Sequence, residues 1–172
     1  MPHNSTHPPF TRAKPADMER IETLLDFAFG PGRLTRTAER LREGNRQIDR
    51  FAHIISNDNN DNALLAAIRY WPIRIGDTPA LLLGPLVVHP DKQSQGLGRA
   101  LIQHTLKLVD ETDFRVVLLV GDLPYYEKSG FFAAPAGITM PTPVNLSRLL
   151  VRGDKAFCQN LHGAVRAAPD LC

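Results

Sequence analysis

Two glycines one residue apart, Gly96 and Gly98, stand in HPDKQSQGLGRALIQ (residues 89–103), where an apolar run gives way to helical spacing. Such a turn can hold a nucleotide phosphate, hold a dinucleotide, or serve only as a tight connection. A Walker loop needs Lys and Ser/Thr after its last glycine, and here Arg99 and Ala100 follow Gly98. That chemistry is excluded. A dinucleotide fingerprint needs a third glycine, and Leu101 stands in its place. The departure weakens that reading, and a third is a pyrophosphate site made of successive backbone N–H groups from Gln93 through Ser94, Gln95, Gly96 and Leu97 to Gly98, opening a helix. Helix starts carry orphan donors and a partial positive charge, and glycine lets oxygen atoms approach where a Cβ would block them. On the glycine pair alone, a plain structural connection is an equal reading.

A second group of candidates lies in GDLPYYEKSGF (121–131). Asp122 is the acid nearest the end of an apolar strand, where it could orient water or a ligand; equally, DLP fits an N-cap with proline in the first turn. Tyr125 and Tyr126 are adjacent, so on a helix they face different ways, and Tyr125 reads as packing. His89 precedes Pro90 and reads as structural. Arg42, Arg46 and Arg50 recur every four residues, but Glu39, Glu43 and Asp49 interleave with them, the pattern of a solvated, ion-paired face. Trp71 and Tyr70 alternate, one for the core and one for an acceptor pocket. Cys158 and Cys172 have no metal-ligand spacing, so no metal is expected and Cys158 reads as a small apolar residue.

Positioning these residues requires the following elements. ADMERIETLLDFAFG has Ile21, Leu24, Leu25 and Ala28 at helical spacing, with Asp17 as N-cap and Gly30 as stop. RLTRTAERLREGNRQ reads as a second, very polar helical segment. FAHIISN, ALLAAIRYWPIRI and ALLLGPLVV read as strands, joined by NDNNDN and by a GDTP hairpin turn. From Gly98, the residues Leu101, Ile102, Thr105, Leu106, Leu108 and Val109 mark an amphipathic helix, and FRVVLLV is a strand buried on both faces. The strand–helix–strand order predicts that LLLGPLVV and FRVVLLV lie parallel. Gly84-Pro85 interrupts the first of them, which predicts a bulge or an end of pairing there. Parallel strands that part at this point open a cleft, with the glycine turn at its mouth.

The chain has 172 residues and 43% apolar content, which suits one domain with a sizeable core. A flexible tail is expected over 1–9 and a single domain over 10–172. Lys and Arg number 20 against 18 acids, a balance that gives no support for nucleic acid as the partner. The first ten residues lack the apolar stretch of a signal peptide, and the longest apolar run, PALLLGPLVV, is about half of a membrane-spanning helix. A soluble, cytoplasmic protein without a membrane partner is the expectation. Pro135, Pro141 and Pro143 suggest irregular connections near the C-terminus.

The spacing Gln93-Ser94-Gln95-Gly96-Leu97-Gly98 after VVHP resembles the Gln/Arg-x-x-Gly-x-Gly/Ala motif of the GCN5-related N-acetyltransferase (GNAT) superfamily. LPYYEKSGF resembles the segment that follows the family's fifth strand. Together with FAFGPGRLTRTAERLREG, these stretches are most similar to the YhbS-like branch, and the resemblance covers roughly residues 10 to 150. It implies an α/β fold with a mixed, mostly antiparallel sheet flanked by helices, split in a V between the fourth and fifth strands. Acetyl-CoA would lie in the split along Leu86, Val87 and Val88, its pantetheine arm pairing with backbone at Leu86 and Val88. Its pyrophosphate would rest on Gln93 to Gly98, with Arg99 and Ala100 lining the helix start and Asp122 and Tyr125 on the cofactor wall. Tyr126 matches the tyrosine that protonates or hydrogen-bonds the departing thiolate in many relatives. Some relatives use a glutamate on the fourth strand as general base, and this strand has none, so ordered water is the expected route. The resemblance thus implies an acetyl-CoA-dependent N-acetyltransferase acting on an amine of a small molecule, peptide or protein, with a homodimer allowed. A non-catalytic acyl-CoA sensor, or a protein-interaction module on the same fold, is the alternative.

Overall fold

The computed structural model describes residues 9–57 and 63–172. Residues 1–8 of the expected tail and most of the NDNNDN turn lie outside the described residues. In chain order the elements are β1 (Phe10–Arg12), α1 (Met18–Phe29), α2 (Thr37–Arg40), β2 (His53–Ser56), β3 (Leu64–Ile75) and β4 (Thr78–Val88). They continue with α3 (Leu97–Asp110), β5 (Val117–Val120), α4 (Leu123–Tyr126), β6 (Phe132–Ala133), β7 (Ile138–Thr139), β8 (Leu149–Arg152), α5 (Lys155–Gln159) and β9 (Gly163–Ala167).

The sheet runs β1-β2-β3-β4-β5-β8-β6, with β9 on the far part of β3 and β7 on β9. Pairing is antiparallel except for β4 with β5 and β7 with β9. The expected parallel pair is therefore present, and it is short: Leu81 faces Val117 and Leu82 faces Leu118. Beyond Leu82 the two strands part.

The cause lies in β4. Along the β3–β4 ladder the register shifts between Ile68 and Tyr70, whose partners are Leu86 and Leu83. Gly84 and Pro85 thus oppose the single residue Arg69, which is the bulge that the Gly-Pro pair predicts. Gly84 has φ of +134°, a conformation that side chains disfavour. The Trp71 indole N–H donates to the Gly84 carbonyl at 2.8 Å and pins the bulge.

The two sheet faces carry different elements. On one, α3 buries Leu97, Leu101, Ile102, Leu106 and Val109 against Ile68, Tyr70 and Leu83. On the other, α1 packs Ile21, Leu24 and Leu25 on Ala67 and Val87, while Leu41 and the later strands cover Trp71, Leu82 and Leu118. Both residues of the alternating pair are buried; Tyr70 lies on the α3 face, its hydroxyl 2.8 Å from the Thr105 hydroxyl. Trp71 takes the opposite face, beside the bulge. Cys158 is fully buried, as a small apolar residue would be.

Three local expectations are corrected. Asp17 does hold the N-cap position of α1, but its side chain caps no helical N–H; its carboxylate accepts from the Lys14 N–H at 2.8 Å and from Arg20 at 2.9 Å. The polar segment 33–47 is α-helical only over Thr37–Arg40, after a 3₁₀ turn at Pro31–Thr35. The Asn45 amide donates to the carbonyls of both Leu41 and Pro72 and ties the segment's end to β3. The presumed solvated arginine stripe is broken, because Arg42 turns inward and pairs with Glu39, while Arg50 pairs at the surface with Glu111 at 2.6 Å.

Candidate active site

Where β4 and β5 part, a cleft of about 1030 Å³ opens. Its floor is the free edge of β4. The His89 N–H donates to the Leu65 carbonyl at 2.8 Å, so His89 faces β3. Ladder geometry alternates, so the N–H and C=O groups of Leu86 and Val88 point away from β3, toward the split. Both residues line the cleft. Val87 does not: its side chain is buried against α1.

The glycine turn closes one end. His89 starts a 3₁₀ turn at Pro90–Lys92 and its ring accepts from the Asp91 N–H at 3.3 Å, the structural role its place before proline suggests. The backbone then reverses through Ser94 (φ +64°) and Gly96 (φ +81°). The first bond of α3 runs from the Ala100 N–H to the Gly96 carbonyl at 2.9 Å. The N–H groups of Gly96, Leu97, Gly98 and Arg99 therefore have no intrahelical acceptor. Ala100, expected beside Arg99 at the helix start, gives its N–H to that first bond and does not line the cleft. Gln93, Ser94, Gly96, Leu97, Gly98 and Arg99 line the cleft; Gln95 belongs to the turn but not to the cleft wall.

Against the turn stand the tyrosines of α4. A Cβ built on Gly98 would lie 2.5 Å from the Tyr125 hydroxyl and 3.3 Å from a Val88 methyl. Tyr125 thus reaches across the cleft mouth to the glycine turn and lines the cleft, rather than packing away from it. Tyr126 lies edge-on to Tyr125 at 4.9 Å and to Phe131 at 5.7 Å, and its ring fills the space over Gly121. Burial raises the Tyr126 phenol well above its ordinary value, with smaller contributions from Tyr125 and Asp122 against the lowering effect of Arg148. Asp122 precedes α4, and its carbonyl accepts from Tyr125 and Tyr126. Its carboxylate does not cap the helix; it binds Arg148 at 3.1 Å.

The opposite wall comes from two segments to which the sequence reading assigns no site role: residues 33–42 and 143–148. Thr37 joins them, donating to the Pro143 carbonyl at 3.3 Å and accepting from the Thr142 hydroxyl at 2.7 Å. Arg42 and Glu39 line this wall as an ion pair. The terminal nitrogen of Arg42 lies 3.0 Å from where a Gly84 Cβ would stand. Burial pulls the Arg42 guanidinium below its ordinary value, opposed chiefly by the Glu39 charge. Arginines in a polar segment with interleaved acids look solvated, and no spacing rule flags one that turns inward. Among the described residues, no group of three His, Cys, Asp or Glu is placed to hold a metal ion. Nor is any described helix long and apolar enough to cross a membrane.

The split sheet, the free amides of the glycine turn and the adjacent tyrosines agree with the sequence comparison. The model of the acetyltransferase (GNAT) family matches residues 18–131, and the chain belongs to that family. It thus carries an acetyltransferase domain. Among solved structures, the GNAT N-acetyltransferase YhbS of Escherichia coli, in complex with CoA, superposes with a TM-score of 0.75 at 21% identity, covering 96% of this chain and 92% of that one. A GNAT acetyltransferase of Brucella melitensis, in complex with acetyl-CoA, gives 0.67 at 21% identity over 95% and 97%. A GNAT acetyltransferase of Staphylococcus aureus gives 0.57 at 14% identity over 86% and 99%. No curated protein sequence matches the chain.

Proposed function

We propose that this protein transfers the acetyl group of acetyl-CoA to a primary amine by direct attack, without a covalent enzyme intermediate. The observation that carries the proposal is the continuity of one cleft. The free edge of β4 at Leu86 and Val88 leads to the unpaired amides of Gly96, Leu97, Gly98 and Arg99, spaced for a pantetheine arm and a pyrophosphate. Structural relatives that hold CoA or acetyl-CoA support the same reading.

In the reaction the neutral amine nitrogen attacks the thioester carbonyl carbon. The C–S bond then breaks, the nitrogen's extra proton leaves to ordered water, and the thiolate needs a donor. Tyr126 fills that place as hydrogen-bond donor. A free phenol near pKa 10 is already a weaker acid than a thiol near 8.5, and burial weakens it further. Its part is therefore to stabilise the thiolate through a held proton rather than to give the proton up outright. Glu39 is the carboxylate on the opposite wall, but its pairing with Arg42 suits it to positioning more than to taking a proton.

The test is an acceptor screen reading released CoA thiol, run beside calorimetric titration with acetyl-CoA. Titratable acetyl-CoA binding and thiol release with at least one amine are expected. A folded protein that gives no binding signal at millimolar acetyl-CoA would overturn the proposal.

A further inference from the structure

We propose that the amine acceptor carries a carboxylate, and that Arg36 receives it. This rests on the acetyltransferase reading of the cleft. The glycine turn and both tyrosines sit on the α3 face of the sheet, whereas residues 33–42 and 143–148 close the cleft from the opposite face. A cofactor with its phosphates on the α3 side leaves that second face to the acceptor.

Four arginines line the second wall: Arg33, Arg36, Arg42 and Arg148. Arg33 is bound by Glu22 at 2.6 Å and Asp26 at 2.8 Å. Arg42 is bound by Glu39, and Arg148 by Asp122. Arg36 alone has no carboxylate partner among the described residues. Its guanidinium lies 5.0 Å from the centre of the Phe29 ring, which also lines the cleft. A planar guanidinium laid on a ring keeps its edge donors free for a fork-shaped anion. One unmatched positive charge on an otherwise neutralised wall suits one negative charge. It disfavours acceptors with several ammonium groups, which would bring like charge to it. Lys92 and Arg99, the other unmatched cations of the cleft, stand at the glycine turn, where the phosphates would neutralise them.

The experiment compares L-amino acids with their carboxamides and with spermidine as acceptors, measuring released thiol. The amide's amine is less basic and more often neutral at pH 7, so each kcat/KM is expressed per neutral amine. The free acids are expected to exceed their amides by roughly tenfold in kcat/KM, as a charge-assisted hydrogen bond allows. Arg36→Gln should remove most of that preference by raising KM, with amides little affected, and Arg36→Lys should restore part of it. Arg46→Gln, which removes a positive charge away from the cleft, should change nothing. Amides or spermidine equal to the free acids, or a preference that survives Arg36→Gln, would overturn the inference. If turnover is too slow to measure, the same panel is read as added thermal stabilisation over CoA alone; the absence of any carboxylate-dependent increment overturns it equally. Acetyl-CoA binding without carboxylate preference sinks this inference only, whereas no acetyl-CoA binding at all sinks the underlying reading.

Discussion

Gly98→Asp separates folding from cofactor binding. Gly98 is the second residue of α3, and a Cβ there would meet the Tyr125 hydroxyl at 2.5 Å. Tyr125 is 39% exposed, so its ring can swing outward at small cost. Glycine is worse than other residues inside a helix by up to about 1 kcal/mol, and an acid in the first turn gains about 0.3–1 kcal/mol from the helix dipole. Those gains oppose the tyrosine's displacement, and unfolding stability should stay within about 1 kcal/mol of the parent. Binding should respond differently. The new carboxylate would stand about 4 Å from a phosphate on the turn, where two like charges repel by about 1 kcal/mol in water and about 4 kcal/mol at an effective dielectric of 20. CoA affinity should therefore fall by about fivefold to a thousandfold. Titration calorimetry reads the affinity and differential scanning calorimetry the stability. A folded variant binding CoA within about twofold of the parent would refute the pyrophosphate assignment.

Other expectations follow from the same wall and floor. Tyr126→Phe should lower kcat by roughly a hundredfold, near the lower end of acid contributions, while leaving CoA affinity unchanged; near-normal turnover would remove the tyrosine from the reaction. Burial holds the Tyr126 proton above its ordinary value of 10.0, so kcat should rise with pH as the acceptor amine deprotonates. It should then show no tyrosine-linked descent below about pH 10, and a falling limb near pH 8–9 that vanishes in Tyr126→Phe would contradict this. Trp71→Phe removes the donor to the Gly84 carbonyl, leaving a buried acceptor unpaired at a cost of about 1–3 kcal/mol. A Tm loss of at least about 3 °C is then expected, with weaker acetyl-CoA binding, and an unchanged Tm would refute the pinning role.

Where one residue type has one physical use, the sequence was readable. Gly84-Pro85 cannot continue a ladder, and it forms the bulge at which β4 and β5 part. The apolar spacing from Leu101 to Val109 could only be one helix face, and α3 buries it. Short elements defined by pairing rather than by pattern escaped. The strands β1, β6, β7, β8 and β9 are two to five residues long, too short to show a period. The wall opposite the glycine turn escaped for another reason. Arg42 and Arg50 look alike in sequence, yet one is drawn in by Glu39 beside the bulge and the other pairs with Glu111 at the surface. Only the tertiary fold decides between them.

The bulge also explains why the two halves of the site lie where they do. With Gly84 and Pro85 opposite Arg69, β4 bends away from β5 and bares the backbone of Leu86 and Val88. Gly84 is the residue against which Arg42 packs, since a Cβ there would stand 3.0 Å from its guanidinium nitrogen. Arg69 continues the contact beneath, bound to Glu22 at 2.9 Å and stacked 4.7 Å from the Trp71 ring centre. Glu22 in turn holds Arg33. One backbone irregularity thus opens the floor of the cleft and seats the charged network behind the opposite wall. A substitution such as Trp71→Phe that relaxes the bulge should disturb both together, whereas Gly98→Asp, at the far end of the floor, should disturb cofactor binding alone.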